Sequence, residues 1–363
     1  MSGSLRVLHA PVSPDNPYQL LLFRALAAAG VSVTTLSFQD LNRPFALSRK
    51  GRFDLVHLHW PHGFYQVTGR MAAPRTLVRA ALFAAEFRRM RRRIPVVWTM
   101  HNRVAHQAPL PALDHRLSLM IARGADRVVA HCAAARQLLV EEWGVAAERV
   151  LVIPHGSFIG YYPDTLDRAA ARSRLGLPAD ARVLLFFGLL RENKGLRELL
   201  AAFHELTDPR CRLVVAGGGA GGGAGPELAS AIQEAAAADP RLRPFPRRVT
   251  DEEVEVMFKA ADAVVLPYQE VLTSSVLALA LDFGRAVVAP RRGCLPEQMA
   301  EGGGALYDPA APDGLLAALR QALAADTEAM GAKNLALARE RSWDRLVPDL
   351  IRAYEEAMAR SPR

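Results

Sequence analysis

Two cations, Arg191 and Lys194, stand just beyond the apolar run Val183–Phe187 in the stretch VLLFFGLLRENKGLRELLAAF, residues 183–203. Gly188 breaks the run and Gly195 opens an amphipathic segment, so both charges fall between a buried strand and the mouth of a helix. Helix N-termini expose unpaired N–H groups and the positive end of the helix dipole, and Lys or Arg beside them completes an anion site. A surface ion pair with Glu192 or Glu198 is the competing reading. A second group that could do chemistry is histidine: His57, His59 and His62 in HLHWPHG, then His101 and His106 in MHNRVAH. One histidine at a strand end is most often structural, but five near two adjacent strand tips invite a chemical role. His57 and His59, two apart, share one face of a strand, so a metal held by two or three of these imidazoles is conceivable.

The elements that must position these residues alternate along the chain. Apolar or β-branched runs at Leu5–Ala10, Val31–Phe38, Leu55–Trp60, Val96–His101, Arg127–Cys132 and Val150–Pro154 are separated by amphipathic segments such as Pro17–Ala29 and Arg116–Arg123. The rhythm pauses in PHGSFIGYYPD and restarts with Val183–Phe187, Leu213–Ala216, Ala263–Pro267 and Ala286–Ala289. Such βαβ alternation predicts parallel sheets covered on both faces, with ligands at the carboxyl ends of the strands. Asn16-Pro17 predicts a capped helix start, and Thr250-Asp-Glu-Glu253 is a capping box. The run AGGGAGGGAGP, 216–226, satisfies G-x-G-x-x-G but lacks a following G-K-[ST], and reads as a flexible loop.

Bulk composition narrows the classes. At 363 residues, 50% hydrophobic and 23% charged, the chain is ordinary globular material with room for two domains. Three dispersed cysteines, Cys132, Cys211 and Cys294, argue against a disulfide framework or zinc site and fit a reducing cytosol. Neither a signal peptide nor a run of about 18 apolar residues is evident, which predicts a soluble protein. The charge is +8, and residues 79–93, RAALFAAEFRRMRRR, carry six arginines on an apolar pattern. Such a helix can rest on anionic lipid or be a solvated face. No nucleic-acid module is recognisable, so no nucleic-acid partner is expected.

Taken together, four stretches resemble the GT-B glycosyltransferases, in particular the glycosyltransferase family 4-like group: VVWTMHNRVAH at 96–106, ADRVVAHC…VLVIPHG at 125–156, FFGLLRENKG at 186–195, and ADAVVLPYQEVLTSSVLALALDFGRAVVAPRRGCLPE at 261–297. With RSWDRL at 341–346, the resemblance covers nearly the whole chain. It implies an α/β chain of two doubly wound Rossmann-like domains with an interdomain cleft: an acceptor-binding domain at 1–158, a donor-binding domain at 159–341, and a C-terminal crossover helix, 342–363, packing back on the first. It also implies that Arg191 and Lys194 bind the diphosphate of a nucleotide-sugar donor, with Gly188 admitting the phosphate to the backbone. Two fixed cations stabilise the charge that builds on the leaving diphosphate. No metal and no cofactor are then needed, and no Asp-x-Asp stands in a suitable place.

The sequence also departs from the group. Aligned on Phe283-Gly284 and Val287-Val288-Ala289, the usual Glu-x7-Glu pair falls on Val271 and Leu279, with Glu270 one residue early. Thr273, Ser274 and Ser275 stand there instead, at a predicted helix start suited to phosphate oxygens, and Glu297 could contact a ribose. The serine-rich version is also similar to the β-mannosyltransferases of lipid-linked oligosaccharide assembly. On the acceptor side, a base for the acceptor hydroxyl needs a pKa near neutral, which histidine supplies with little tuning. His101 is the first choice and His106 the second, with Asp15 as an alternative carboxylate; Asp15, Asn16, His59 and Asn102 are the expected acceptor contacts.

The expectation is therefore a metal-independent hexosyltransferase on the cytoplasmic side, taking GDP-mannose as donor to a lipid-linked glycan or exopolysaccharide precursor. Arg88–Arg93 would dock on an anionic inner leaflet of the cell membrane. The alternatives are a UDP-sugar transferase with a soluble acceptor, a non-catalytic homologue, or a nucleotide-sugar epimerase; an NAD enzyme is disfavoured because Pro11–Pro17 contains no glycine.

Overall fold

Near-continuous apolar runs, rather than alternating ones, mark strands that are buried on both faces. The computed structural model describes residues 4–13, 15–37, 53–67, 69, 71–103, 108–218 and 225–360. It divides into two compact units, Met1–Gly156 with Trp343–Arg363, and Ser157–Ser342. The first holds β1 (Arg6–Val12), β2 (Ser32–Ser37), β3 (Leu55–Leu58), β4 (Val96–Thr99), β5 (Arg127–Ala130) and β6 (Val150–Val152), all parallel in the order β2-β1-β3-β4-β5-β6. Its helices are α1 (Pro17–Ala28), α2 (Ala72–Met90), α3 (Pro111–Gly124) and α4 (Ala133–Gln137).

The second unit holds β7 (Arg182–Phe187), β8 (Cys211–Ala216), β9 (Leu242–Phe245), β10 (Ala263–Val265), β11 (Ala286–Pro290) and β12 (Gly304–Tyr307), parallel in the order β12-β11-β10-β7-β8-β9. The helices that cover it are α5 (Arg168–Arg174), α6 (Leu196–His204), α7 (Pro226–Ala238), α8 (Asp251–Ala260), α9 (Ser275–Asp282), α10 (Leu295–Gln298), α11 (Gly314–Ala324) and α12 (Thr327–Glu340). Leu184, Phe186, Val215, Val265 and Val288 bury fully in its core, each side chain contributing about 1.5–3 kcal/mol. Both sheets reverse direction beside their first strand, between β1 and β3 and between β7 and β10. These switch points open crevices at the strands' carboxyl ends.

The last helix, α13 (Trp343–Arg360), belongs to the first unit. Its buried stripe is Leu346, Val347, Leu350, Ala353, Tyr354 and Ala357, the spacing of one helical face. The Trp343 indole lies on Gly156, where an added Cβ would come within 2.3 Å of Cε2. The Arg127 guanidinium, 5% exposed, bonds Glu356 at 2.9 Å. The Thr250 capping box forms, its backbone N–H donating to the Glu253 carboxylate at 3.0 Å.

Two strands, β9 and β12, escape the sequence reading. Both are edge strands. Pro244 is tolerated in β9 only because an edge strand can spare a backbone donor. β12 begins on Gly304, where a Cβ would stand 1.9 Å from the Val287 carbonyl.

Candidate active site

The second unit builds its site at the β7/β10 switch point. After β7 the chain passes Gly188 and makes a single 3-10 turn, Glu192–Lys194. Gly195 (φ 70°) then leads into α6. A Cβ on Gly195 would stand 1.8 Å from the Pro267 carbonyl oxygen, so only glycine lets the loops after β7 and β10 touch. The contact is reinforced by the Gln269 N–H donating to the Asn193 carbonyl at 3.1 Å. It sets the Lys194 ammonium 3.9 Å above the centre of the Tyr268 ring. The Tyr268 hydroxyl in turn meets Ser274.

Neither cation of this loop forms an ion pair among the described residues. Glu192 bonds Arg197 at 3.0 and 3.2 Å, and Glu198 accepts from Gln269, so the competing ion-pair reading fails. Arg191 is half-buried and its Nε is buried without a partner. Burial, with the Arg191 charge added, lowers the Lys194 ammonium to about 8. Two desolvated like charges with no acid between them leave an electrostatic deficit that an anion would fill.

Gly188 (φ 114°) lies against the start of α9, its missing Cβ facing Val276 at 3.2 Å, and its carbonyl abuts Gly217. Thr273, Ser274 and Ser275 thus share one neighbourhood with Gly188 at the first turn of α9, but they play unequal parts. Buried Ser274 is the N-cap and accepts from the Leu277 N–H at 3.2 Å, so its oxygen is already engaged; Ser275 is exposed. Leu279, at the register of the group's second acid, is buried, and Glu270 is exposed. Glu297 is exposed on α10, whose approach is pinned to the 271–272 loop by the Cys294 N–H donating to the Leu272 carbonyl at 2.8 Å.

In the first unit histidines line the carboxyl edge of the sheet in spatial order: His9 in β1, His59 after β3, His101 after β4, His131 after β5 and His155 after β6. His9 Nδ1 is 3.0 Å from His59 Nε2, and His59 Nδ1 is 3.4 Å from His101 Nε2. His101 stacks on Trp60, with ring centres 4.2 Å apart, and His131 follows at 5.2 Å. His131 Nδ1 bonds the Ile153 carbonyl at 2.9 Å. Below the row, His57 is held by the Tyr354 hydroxyl at 2.8 Å and the Thr99 hydroxyl at 2.7 Å.

The near-neutral pKa expected of His101 does not survive this packing. Burial, then the neighbouring imidazoles, pushes His57, His59 and His101 well below the ordinary histidine value, and burial takes His9 to about 3 and His131 to about 4. At neutral pH His9, His57, His59, His101 and His131 are uncharged, and His101 is a weaker base than its residue type suggests. Among the acceptor-side residues, Asn16 caps α1, accepting from the Tyr18 N–H at 3.0 Å, and His59 is enclosed between His9 and His101. Asp15 is exposed, and Asn102 half-buried beside His101. His106 lies outside the described residues. His9, His57 and His59 bring ring nitrogens within 4.8 Å of one another, as metal ligands would be, but both nitrogens of His57 already bond hydroxyls.

Sequence reasoning missed Tyr268, Gly195, His9, His131 and His155 as site residues. The signal for the histidines was present, since apolar runs in five places end in one: VLHA, LHLHW, TMHN, VAHC and IPHG.

Residues 18–157 match the model described as Glycosyltransferase Family 4, and 167–336 match Glycosyl transferases group 1. A D-inositol 3-phosphate glycosyltransferase of Xylanimonas cellulosilytica is 30% identical over 99% of this chain and 83% of its own. The chain belongs to the family 4, group 1 glycosyltransferases. Within that family it is also similar to the GDP-mannose:glycolipid 4-beta-D-mannosyltransferase of Xanthomonas campestris, 27% identical over 96% of this chain and 91% of the relative. The match to the Segniliparus rotundus D-inositol 3-phosphate glycosyltransferase, 30% identical over 73% of this chain, spans only 62% of that relative's length. Among solved structures, sucrose-phosphate synthase from Thermosynechococcus elongatus superposes with a TM-score of 0.74 at 19% identity, covering 98% and 99% of the two chains. Anabaena HepE in complex with UDP gives 0.67 at 18% identity over 97% and 99%. The fold of this chain is accordingly GT-B.

Proposed function

We propose that this glycosyltransferase transfers a hexose from a nucleotide-diphosphate donor, with GDP-mannose the leading candidate, to a hydroxyl of a lipid-linked glycan. The observation that carries the donor half is the unpaired Arg191–Lys194 couple, with a buried, partnerless Nε, beside the first turn of α9. In the reaction the sugar C1–oxygen bond breaks and the diphosphate leaves with extra negative charge. Arg191, Lys194 and the free N–H groups at the start of α9 meet that charge, and their attraction grows along the reaction coordinate. No metal enters this account. The proton leaving the acceptor hydroxyl needs a base, for which exposed Asp15 is a better candidate than buried His101. The choice of GDP-mannose is supported by the name of the Xanthomonas relative.

For the acceptor, α2 supplies the support. Met71, Leu77, Val78 and Leu82 are 68%, 52%, 62% and 42% exposed, an apolar strip that continues into the exposed Arg88, Arg89 and Arg91–Arg93. Apolar side chains beside a cationic cluster suit the surface of an anionic leaflet. No helix among the described residues is long and apolar enough to cross a membrane, so the reading is of a peripheral enzyme that meets its acceptor at the surface. A UDP-sugar donor with a soluble, inositol-phosphate-like acceptor is the second reading, favoured by the names of several relatives.

Radiolabelled GDP-mannose and UDP-glucose, each offered with polyprenyl-diphosphate-linked oligosaccharide in anionic vesicles and with inositol 3-phosphate in solution, separate the two. Label appearing only in the lipid fraction from GDP-mannose supports the first reading. Label appearing only in the soluble acceptor from UDP-glucose replaces it with the second.

A further inference from the structure

The donor loop holds a cation without an acid, and the backbone shows how. The Asn193 carbonyl accepts from the Gln269 N–H at 3.1 Å. Two residues on, Gly195 lies against Pro267 so closely that a Cβ would stand 1.8 Å from the carbonyl oxygen. Lys194 is thus set opposite Tyr268 by contacts on both flanks, and its ammonium rests 3.9 Å above the ring centre. The pairing is built into two loops and does not hang on one lysine rotamer.

The charged groups around the ammonium are engaged elsewhere or point no counter-charge at it. Glu192, on the same turn, bonds Arg197 at 3.0 and 3.2 Å, and Glu198 of α6 accepts from the Gln269 side-chain amide. Glu270, in the loop after β10, is exposed. Arg191 adds a like charge, and the Arg292 guanidinium donates to the Gln269 carbonyl. What remains is the ring, itself only 2% exposed. An aromatic face attracts a cation through its quadrupole without cancelling the charge, as a carboxylate would; desolvated, it favours the ammonium over the neutral amine by about five- to thirtyfold. The phenol stays neutral, because burial pushes Tyr268 up to about 12. At its far end the Tyr268 hydroxyl meets Ser274, the N-cap of α9, whose oxygen accepts from the Leu277 N–H at 3.2 Å. One side chain therefore touches both parts of the anion site.

We propose that Tyr268 is a positioning residue of the donor site: its face seats the Lys194 ammonium, unneutralised, for the diphosphate of the donor, and its hydroxyl ties that seat to the first turn of α9. The consequence rests on the diphosphate reading, whereas the seat itself does not. A lysine already ordered and still fully charged has no counter-ion to shed as charge builds on the leaving diphosphate.

The test exploits the small number of lysines. Lys50, Lys194, Lys259 and Lys333 are the chain's four, so the full chain labelled with 13C at lysine Cε gives a simple 1H–13C spectrum, with Lys194 assigned by its loss in Lys194→Met. The ring current of Tyr268 should move the Lys194 ε-methylene protons upfield in the wild type and in Tyr268→Phe, and this shift should vanish in Tyr268→Leu. Loss of the ring face should also lower the pH at which Lys194 titrates by about one pH unit, the equivalent of tenfold; mere entry of water would raise it. Calorimetric titration of GDP and UDP at pH 7.5 should show Tyr268→Leu weaker by about five- to tenfold and Tyr268→Phe within about threefold of the wild type. Tyr268→Met, which keeps much of the volume without a π face, replaces the leucine variant if that variant loses its urea transition. Ordinary ε-methylene shifts at Lys194 in the wild type overturn the proposal. So does a Lys194 titration that rises in the ring-less variant, or a Tyr268→Phe protein as weak as Tyr268→Leu. If the wild type binds neither diphosphate, the diphosphate reading fails, while the lysine spectra still decide the seat.

Discussion

Acidification should unfold the first unit well before ordinary surface titration would. Five of its imidazoles, His9, His57, His59, His101 and His131, are buried and held below the unfolded value of 6.5. The sign follows from proton counting. Between the folded and unfolded pKa values the unfolded chain binds more protons, so stability is full above 6.5 and falls with pH below it. At pH 5.5 each imidazole that stays neutral when folded costs roughly 1–2 kcal/mol, set by the unfolded pKa alone. Five together cost on the order of 5–10 kcal/mol, comparable with the whole stability of a domain. All four tryptophans, Trp60, Trp98, Trp143 and Trp343, lie in this unit, so tryptophan fluorescence reports it selectively. Urea titrations at pH 7.5, 6.5 and 5.5 should show the tryptophan transition collapsing toward the lowest pH. His131→Asn, whose amide can keep the bond to the Ile153 carbonyl, should flatten the dependence by about one proton. A midpoint that moves by less than the equivalent of one histidine between pH 7.5 and 5.5 would refute the burial argument.

Three further outcomes follow from the same geometry. Lys194 loses its charge near 8, so diphosphate affinity should fall as pH rises from 7 to 9, and Lys194→Met should be weak and pH-independent over that range; calorimetric titration checks both. Gly195→Ala forces a Cβ onto the Pro267 carbonyl at positive φ and should destabilise the second unit by about 1–3 kcal/mol in urea melts while weakening diphosphate binding. Gly156→Ala drives a methyl into the Trp343 indole and should lower the melting temperature with a shift in tryptophan emission; an unchanged melt would show that α13 docks by other contacts.

Much of the donor site was legible because its signals are local. An apolar run, a glycine break, Arg191, Lys194 and a following helix occupy one contiguous stretch, 183–204, and the chain folds them as one strand–loop–helix unit. Gly195 and Tyr268 were not legible, since their importance lies in contact between the loops after β7 and β10, far apart in sequence, that only the β7/β10 pairing brings together. The histidine row was half legible. His57, His59 and His101 stand out by density, but His9, His131 and His155 look like isolated strand-end residues until the order β1-β3-β4-β5-β6 sets them side by side. Burial was the part sequence could not convey, and it turns a convenient near-neutral base into a depressed one. Asn16 and Ser274 show a related ambiguity. Residue types that suit a ligand also suit a helix cap, and here both side chains act as caps.

The central claim is that Arg191 and Lys194 form a diphosphate site, and calorimetric titration of GDP and UDP into the wild type and Arg191→Ala tests it most directly. The account predicts binding of at least one diphosphate by the wild type and a loss of about a hundredfold in Arg191→Ala, the scale of a charge-assisted hydrogen bond left unmade, with the melting temperature of the free protein unchanged. Equal affinity in both proteins, or no binding of either diphosphate to the wild type, would contradict it.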